Sequence, residues 1–204
     1  MTTTTPATET HARGRAGLVI ALVIGLVIVP VAVAFVALWG ADWKPASDIA
    51  VEVLRVRDVG GRHTPFTGVQ SRFGWDHPGP MLFWYLAPWY RLFGTTGVMY
   101  AVGALNIAAL VGALVVARRR GGVLLMALVG IVALLLVRSL TLDLLVDPWN
   151  PWVAVLPFLL FVLLAWSVAE RDRGALVWLV AVGTFLVQTH VGYALLFVGA
   201  GAAA

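Results

Sequence analysis

Ser71-Arg-Phe-Gly-Trp-Asp-His-Pro-Gly-Pro-Met-Leu-Phe-Trp-Tyr-Leu-Ala-Pro-Trp-Tyr-Arg-Leu-Phe-Gly94 is the stretch on which the reading of this chain turns. It lies late in a polar segment between two long apolar runs. An acid, Asp76, stands beside an imidazole, His77, and Pro78, Pro80 and Pro88 restrict the backbone around them. Phe83-Trp84-Tyr85 follows, then Trp89-Tyr90. Aromatic rings with a polar tip gather at a membrane–water boundary. The stretch reads either as a polar site held against a bilayer by an aromatic anchor, or as an interfacial re-entry loop with no chemistry.

The composition around it decides between solvents. Of 204 residues, 61% are hydrophobic, and the mean hydropathy is +0.93; a soluble domain is nearer about half apolar. An integral membrane protein is expected, with the bilayer as its first partner. Cysteine is absent, which removes disulfides and thiolate metal sites. A net charge of +4 would direct a soluble protein toward nucleic acid. Here the arginines cluster between apolar runs, so topology accounts for them and no nucleic-acid partner is expected.

Read in order, residues 1–15 form a Thr-rich, disordered cytoplasmic N-terminus ending in Arg13 and Arg15. Residues 16–40 are too long for the apolar core of a cleaved signal peptide, despite Ala32-Val33-Ala34, and read as a first span. An outer loop covers 41–96. Within it, Ile49, Val53 and Val56 fall on one helical face and Asp48, Glu52 and Arg55 on another, which predicts an amphipathic interfacial helix over 46–59. The aromatic part of the opening stretch predicts a second interfacial helix over 80–93. Further spans are expected at 97–117, 121–137, 151–169 and 175–190, with a partial one at 191–204. Arg118-Arg119-Arg120 and Glu170-Arg-Asp-Arg-Gly174 mark cytoplasmic turns. The fold class expected is all-α: a polytopic transmembrane helix bundle in a plasma membrane, N-terminus inside. Because the chain ends within an apolar run, a truncated frame or a fragment is also expected.

In that topology the unusual polar groups share one level. Asp48, Asp76 with His77, Asp147 with Asn150, and Gln188 with His190 all reach the outer face, and polar groups at membrane depth usually line a cavity or pathway. Asp48 is either a helix N-cap or a general base toward a hydroxyl. Glu52, one turn on, adds a like charge that raises a neighbouring carboxylate's pKa while the helix amides lower it. His77 is a phosphate donor or a hydrogen-bonded turn residue. Arg72 grips a phosphate or faces lipid headgroups. Asp147-Pro-Trp-Asn-Pro151 reads as a helix start with Asn150 as cap and Pro151 in the first turn. Gln188 and His190 line the site or bond between helices. Neither His63 nor His77 has metal-site spacing, so no metal and no cofactor are expected.

The pattern resembles a known family. An acid opening the first outer-loop helix (Asp48), a His-Pro-Gly-Pro turn (His77 to Pro80), aromatics, and Leu-Phe-Gly before the second span resemble multi-pass GT-C glycosyltransferases, which include protein O-mannosyltransferases, lipid A aminoarabinose transferases and mycobacterial arabinofuranosyltransferases. Asp147-Pro-Trp-Asn-Pro151 and Gln188-Thr-His-Val-Gly-Tyr193 look like segments of actinobacterial members. The resemblance covers Ala16 to Tyr193. It implies a sugar donor on polyprenyl phosphate, used at the extracytoplasmic face on a glycan, lipid or protein acceptor, with Asp48 as catalytic base and Arg72 and His77 at the donor phosphate. Family members are longer, and Asp147 matches their later acidic motif only loosely. Two other classes remain open: a transporter or flippase for lipid-linked sugars, and a non-catalytic membrane subunit.

Overall fold

The computed structural model describes residues 6–38 and 43–202. The expected end of the first span at 39–40, the start of the outer loop at 41–42, residues 1–5 and residues 203–204 lie outside the described residues. Among the described residues every regular element is helical: α1 (Pro6–Leu38), α2 (Ser47–Asp58), α3 (Met81–Leu140), a 3-10 turn (Leu142–Leu145), α4 (Asn150–Val153), α5 (Val155–Ala169), α6 (Arg173–Thr189), a second 3-10 turn (Val191–Tyr193) and α7 (Ala194–Ala202). One isolated antiparallel bridge pairs Gln70 with Asp76. Three helical stretches are long and apolar enough to cross a membrane: Gly17–Leu38, Met81–Leu140 and Asn150–Ala169.

Two sequence expectations need correction here. The N-terminal segment expected to be disordered through residue 15 is helical from Pro6; proline suits a first helical turn, where its missing N–H would be unpaired anyway. Asp48 does not cap α2. The cap position is Ala46, with no side-chain hydrogen bond, and Asp48 sits inside the first turn.

The 60-residue α3 is not one rod. Its backbone leaves helical geometry at Gly94 (φ 66°) and at Gly121–Gly122 (Gly122 φ 68°). Those two left-handed positions suit glycine because no Cβ clashes there. They divide α3 into 81–93, 95–120 and 123–140, and contacts across each break prove that the chain folds back. The Tyr85 hydroxyl donates to the Ala101 carbonyl at 2.8 Å across 16 residues, a separation that would be about 24 Å along a straight helix. A Cβ on Gly130 would stand 3.8 Å from Leu114, again far closer than a straight helix permits. The segments therefore pack side by side, at 95–120 and 123–140 for the expected 97–117 and 121–137.

Packing fixes two opposite ends. At one, Arg120 closes the 95–120 segment by donating from Nε to Ser167 Oγ (3.0 Å) and from Nη2 to the Ser167 carbonyl (3.2 Å) and the Asp172 carboxylate. This binds the segment to the turn between α5 and α6, where Asp172 Oδ1 also accepts from Gly174 N–H and caps α6. At the other end, Asn150 opens α4 and Thr189 closes α6, joined by a hydrogen bond from Asn150 Nδ2 to the Thr189 carbonyl at 3.1 Å. Midway, buried Asn106 donates to the Leu144 and Leu145 carbonyls, both at 3.1 Å, and satisfies the 3-10 turn that has no helical ladder to use.

The interior is apolar: Val27, Val31, Leu110, Leu114, Met126, Ala133 and Leu145 join α1 to the folded-back α3. α2 docks separately, Val53 and Val56 packing on Leu82, Phe83 and Leu86. The outside is apolar as well. Leu18, Val36, Leu124, Val177 and Leu195 are all more than 60% exposed, an arrangement that water would not tolerate over so much surface.

Candidate functional site

At the Asn150–Thr189 end, α2, the 69–77 loop, the start of α4 and His190 enclose a cavity of about 630 Å³. Its walls include Asp48, Glu52, Arg72, His77, Asn150 and His190. Six of the nine polar residues singled out in the sequence thus meet in one space, although they come from four separate parts of the chain. Three do not. Asp76 is exposed and turns to Thr67, whose Oγ1 donates to its Oδ2 at 2.8 Å. Gln188 lies against Gly79, with its amide where a Cβ would have to be. Asp147 uses Oδ1 to accept from Trp149 N–H at 2.8 Å.

That last bond corrects the reading of the Asp147–Pro151 segment. Asn150 does not cap the helix. Asp147 secures the turn before it, Pro151 takes a first-turn place, and the buried Asn150 amide is spent on the Thr189 carbonyl. Asp147's carboxyl is pushed upward by burial first; the Trp149 N–H offsets part of that and the Asp143 charge adds to it.

Glu52 is the largest departure. The helical pattern places it with Asp48 and Arg55 on a polar face, yet it is only 2% exposed, on the buried side with Val53 and Val56. Residues 147–151 arrive from far along the sequence and lie over it. Neither carboxyl oxygen has a hydrogen-bond partner in the protein. Burial, and then the charges of Asp147 and Asp48, push its pKa from 4.5 to about 8; the backbone amide of Asn150 lies near enough to offset part of this without reaching hydrogen-bonding geometry. Desolvation decides the upward direction for Glu52. Glu52 is a neutral acid at pH 7.

Asp48 is the exposed carboxylate of the cavity, one turn before Glu52. Arg72 is also exposed, its guanidinium carbon 4.9 Å from the centre of the Phe73 ring. The two imidazoles form a pair with ring centres 4.7 Å apart. His77 Nδ1 accepts from Val191 N–H at 3.1 Å, and His190 Nδ1 accepts from Gly192 N–H at 3.2 Å. A ring nitrogen that accepts carries no proton, so each neutral ring holds its proton on Nε2. His77 is buried, and burial first, then the neighbouring His190, depress its pKa below 6.5 against the weaker pull of Asp76. With Nδ1 accepting and the pKa lowered, His77 offers a neutral Nε2–H as a donor. Trp75 stands edge-on to its ring, centres 5.1 Å apart.

The arrangement supplies an open carboxylate, a guanidinium, up to two Nε2–H donors and a buried carboxylic acid within one cavity. Sequence reasoning missed the burial of Glu52 and the parts played by Trp75, Trp149 and the Val191–Gly192 amides. The Asp48–Glu52 spacing was the available signal, but nothing local says which acid is covered. The chain matches no known family model, no curated protein and no solved structure.

Proposed function

We propose that this chain is a multi-pass membrane protein, N-terminus cytoplasmic, whose cavity at the outer end transfers a sugar from a polyprenyl-phosphate carrier to an acceptor hydroxyl. The observation that carries the reading is the meeting of Asp48, Arg72, His77 and His190 in one cavity. Glycosyl transfer from an activated lipid donor needs a base on one side of the anomeric carbon and a stabiliser of the leaving phosphate on the other. Membrane placement is supported by the apolar helices and by the arginine-bearing turns gathered at the end opposite the cavity. The motif resemblance of the first outer loop points the same way.

The step balances as follows. The acceptor oxygen bonds to the anomeric carbon as the bond from that carbon to the phosphate oxygen breaks. The electron pair leaves on the lipid phosphate, and the acceptor proton passes to the Asp48 carboxylate. Arg72 and the His77 Nε2–H offset the charge that grows on the phosphate. The test is transfer of radiolabelled sugar from a polyprenyl-phosphate donor by the protein in lipid vesicles. Asp48→Asn lowers turnover roughly 100- to 10,000-fold, the usual worth of a general base, with melting temperature unchanged. Wild-type turnover in Asp48→Asn removes Asp48 as the base, and no transfer by the wild-type chain from any such donor removes the reaction.

A further inference from the structure

We infer that the cavity binds its phosphodiester anion only with Glu52 in the neutral acid form, so that a proton at Glu52 and the anion bind together. The inference rests on the phosphate-carrier reading above and deepens it by naming what controls occupancy of the site.

The geometry comes first. Glu52 is on the cavity wall, 2% exposed, and both of its oxygens lack a partner in the protein. A buried polar group without a partner is costly. Its hydrogen-bonding capacity is unspent within the protein, and the residue lines the cavity. A carboxylic acid donates one hydrogen bond; a carboxylate only accepts, and an anionic oxygen has nothing to donate to it. Glu52 therefore meets an anion favourably in one protonation state alone.

Charge counting gives the same direction. Arg72 is the one Lys or Arg among the described lining residues, and Asp48 lines the same cavity. With Glu52 neutral, the two charges cancel, and up to three donors remain for the anion: His77 Nε2–H, His190 Nε2–H and the Glu52 O–H. With Glu52 ionised, the cavity holds two carboxylates against one guanidinium and repels the ligand. The charges that act on Glu52 come from Asp48 on its own helix and Asp147 in the segment that covers it. Both are negative and oppose its ionisation. From α3, the nearby Tyr85 hydroxyl is engaged with the Ala101 carbonyl and Arg91 with the Val59 carbonyl, so neither faces Glu52 as a counter-ion. From the 69–77 loop, Asp76 is held by Thr67, away from the cavity. The proton on Glu52 is held up to pH about 8.

The probe is geranyl methyl phosphate, whose single negative charge is fixed across the range, and the readout is its affinity by calorimetry for the full chain in nanodiscs. Wild-type affinity is level from pH 6.5 to 7.5 and falls about tenfold between pH 7 and pH 9 as the neutral fraction of Glu52 falls. Glu52→Gln, a permanent neutral donor of similar shape, binds at pH 7 and stays level to pH 9. Asp48→Asn retains the fall. A wild-type profile level through pH 9 overturns the inference and needs no variant; so does an undiminished fall in Glu52→Gln. Binding with a level profile leaves the phosphate-carrier reading standing, whereas no binding at any pH removes both.

Discussion

Replacing Glu52 by Gln stabilises the protein at neutral pH. Glu52 is neutral in the folded chain up to about pH 8 but ionises near 4.5 once unfolded. Between those values the unfolded state holds fewer protons, so stability falls as pH rises through that window and is constant above it. At pH 7 the penalty is the interval from 4.5 to 7 at about 1.4 kcal/mol per pH unit, or ~3 kcal/mol. Glutamine keeps the size and a donor but has no ionised form to favour unfolding. Because the side chain is buried, solvent screening does not reduce this figure. Thermal unfolding followed by tryptophan fluorescence in nanodiscs reads it. Glu52→Gln melts roughly 6–12 °C above wild type at pH 7, and the gap narrows to under ~1 kcal/mol at pH 5. Equal melting temperatures at pH 7, or a gap that widens toward acid, refute the burial argument.

Other outcomes follow from neighbouring contacts. Asn150→Ala leaves the Thr189 carbonyl without its donor and lowers stability by roughly 1–3 kcal/mol; Asn150→Asp loses more, since an acceptor then faces an acceptor beside Asp147. Gly68→Ala puts a Cβ 2.9 Å from His77 Cβ and the Gly79 carbonyl and 3.0 Å from the Gln188 carbonyl. Two of those are backbone atoms that cannot rotate away, so it costs about 1–3 kcal/mol and weakens probe binding, both read by melting and calorimetry. Nitrogen NMR of His77 shows an unprotonated Nδ1 persisting below pH 6.5. Stability contributed by that neutral ring is lost as pH falls from 6.5 through its lower folded pKa; protonation at or above 6.5 contradicts the Val191 bond. Reporter fusions after Gly94 and Asn150 read extracytoplasmic and one after Arg120 cytoplasmic; a cytoplasmic signal at Gly94 overturns the proposed topology.

Much of this architecture was legible because local rules govern it. The apolar pattern after Pro45 predicts helix over 46–59, and α2 spans Ser47–Asp58. Apolar runs interrupted at Gly94 and at the Arg120–Gly121–Gly122 junction predict the segments into which α3 divides. The shared level of Asp48, His77, Asn150 and His190 predicts that they meet, and they line one cavity. What could not be read depends on parts of the chain that touch only after folding. Glu52 and Asp48 are equivalent by helical spacing, and only the 147–151 segment makes one buried and leaves the other open. Asp147 and Asn150 both satisfy the rules for a helix start, yet neither side chain caps α4, because the Asn150 amide goes to the Thr189 carbonyl and Asp147 to the turn before the helix. The tautomers of His77 and His190 depend on the Val191 and Gly192 amides, which no pattern in the 69–77 loop reveals.

The cover over Glu52 also has a place in time. Asn150 is made 98 residues after Glu52 (150 − 52), and the Thr189 carbonyl that holds it later still. While the nascent chain lacks those residues, α2 can dock on the 81–93 segment, but Glu52 remains in water as a carboxylate. Burial becomes possible only when the second half of the chain closes over it, and at neutral pH that closure takes up nearly one proton. That closure is thus chemically marked. A ribosome-bound intermediate halted before α4 holds an ionised, water-exposed acid at this position, and a finished molecule does not. Carbodiimide labelling of Glu52 at pH above 6 would separate the two, because water-exposed and enclosed acids differ in access to the reagent.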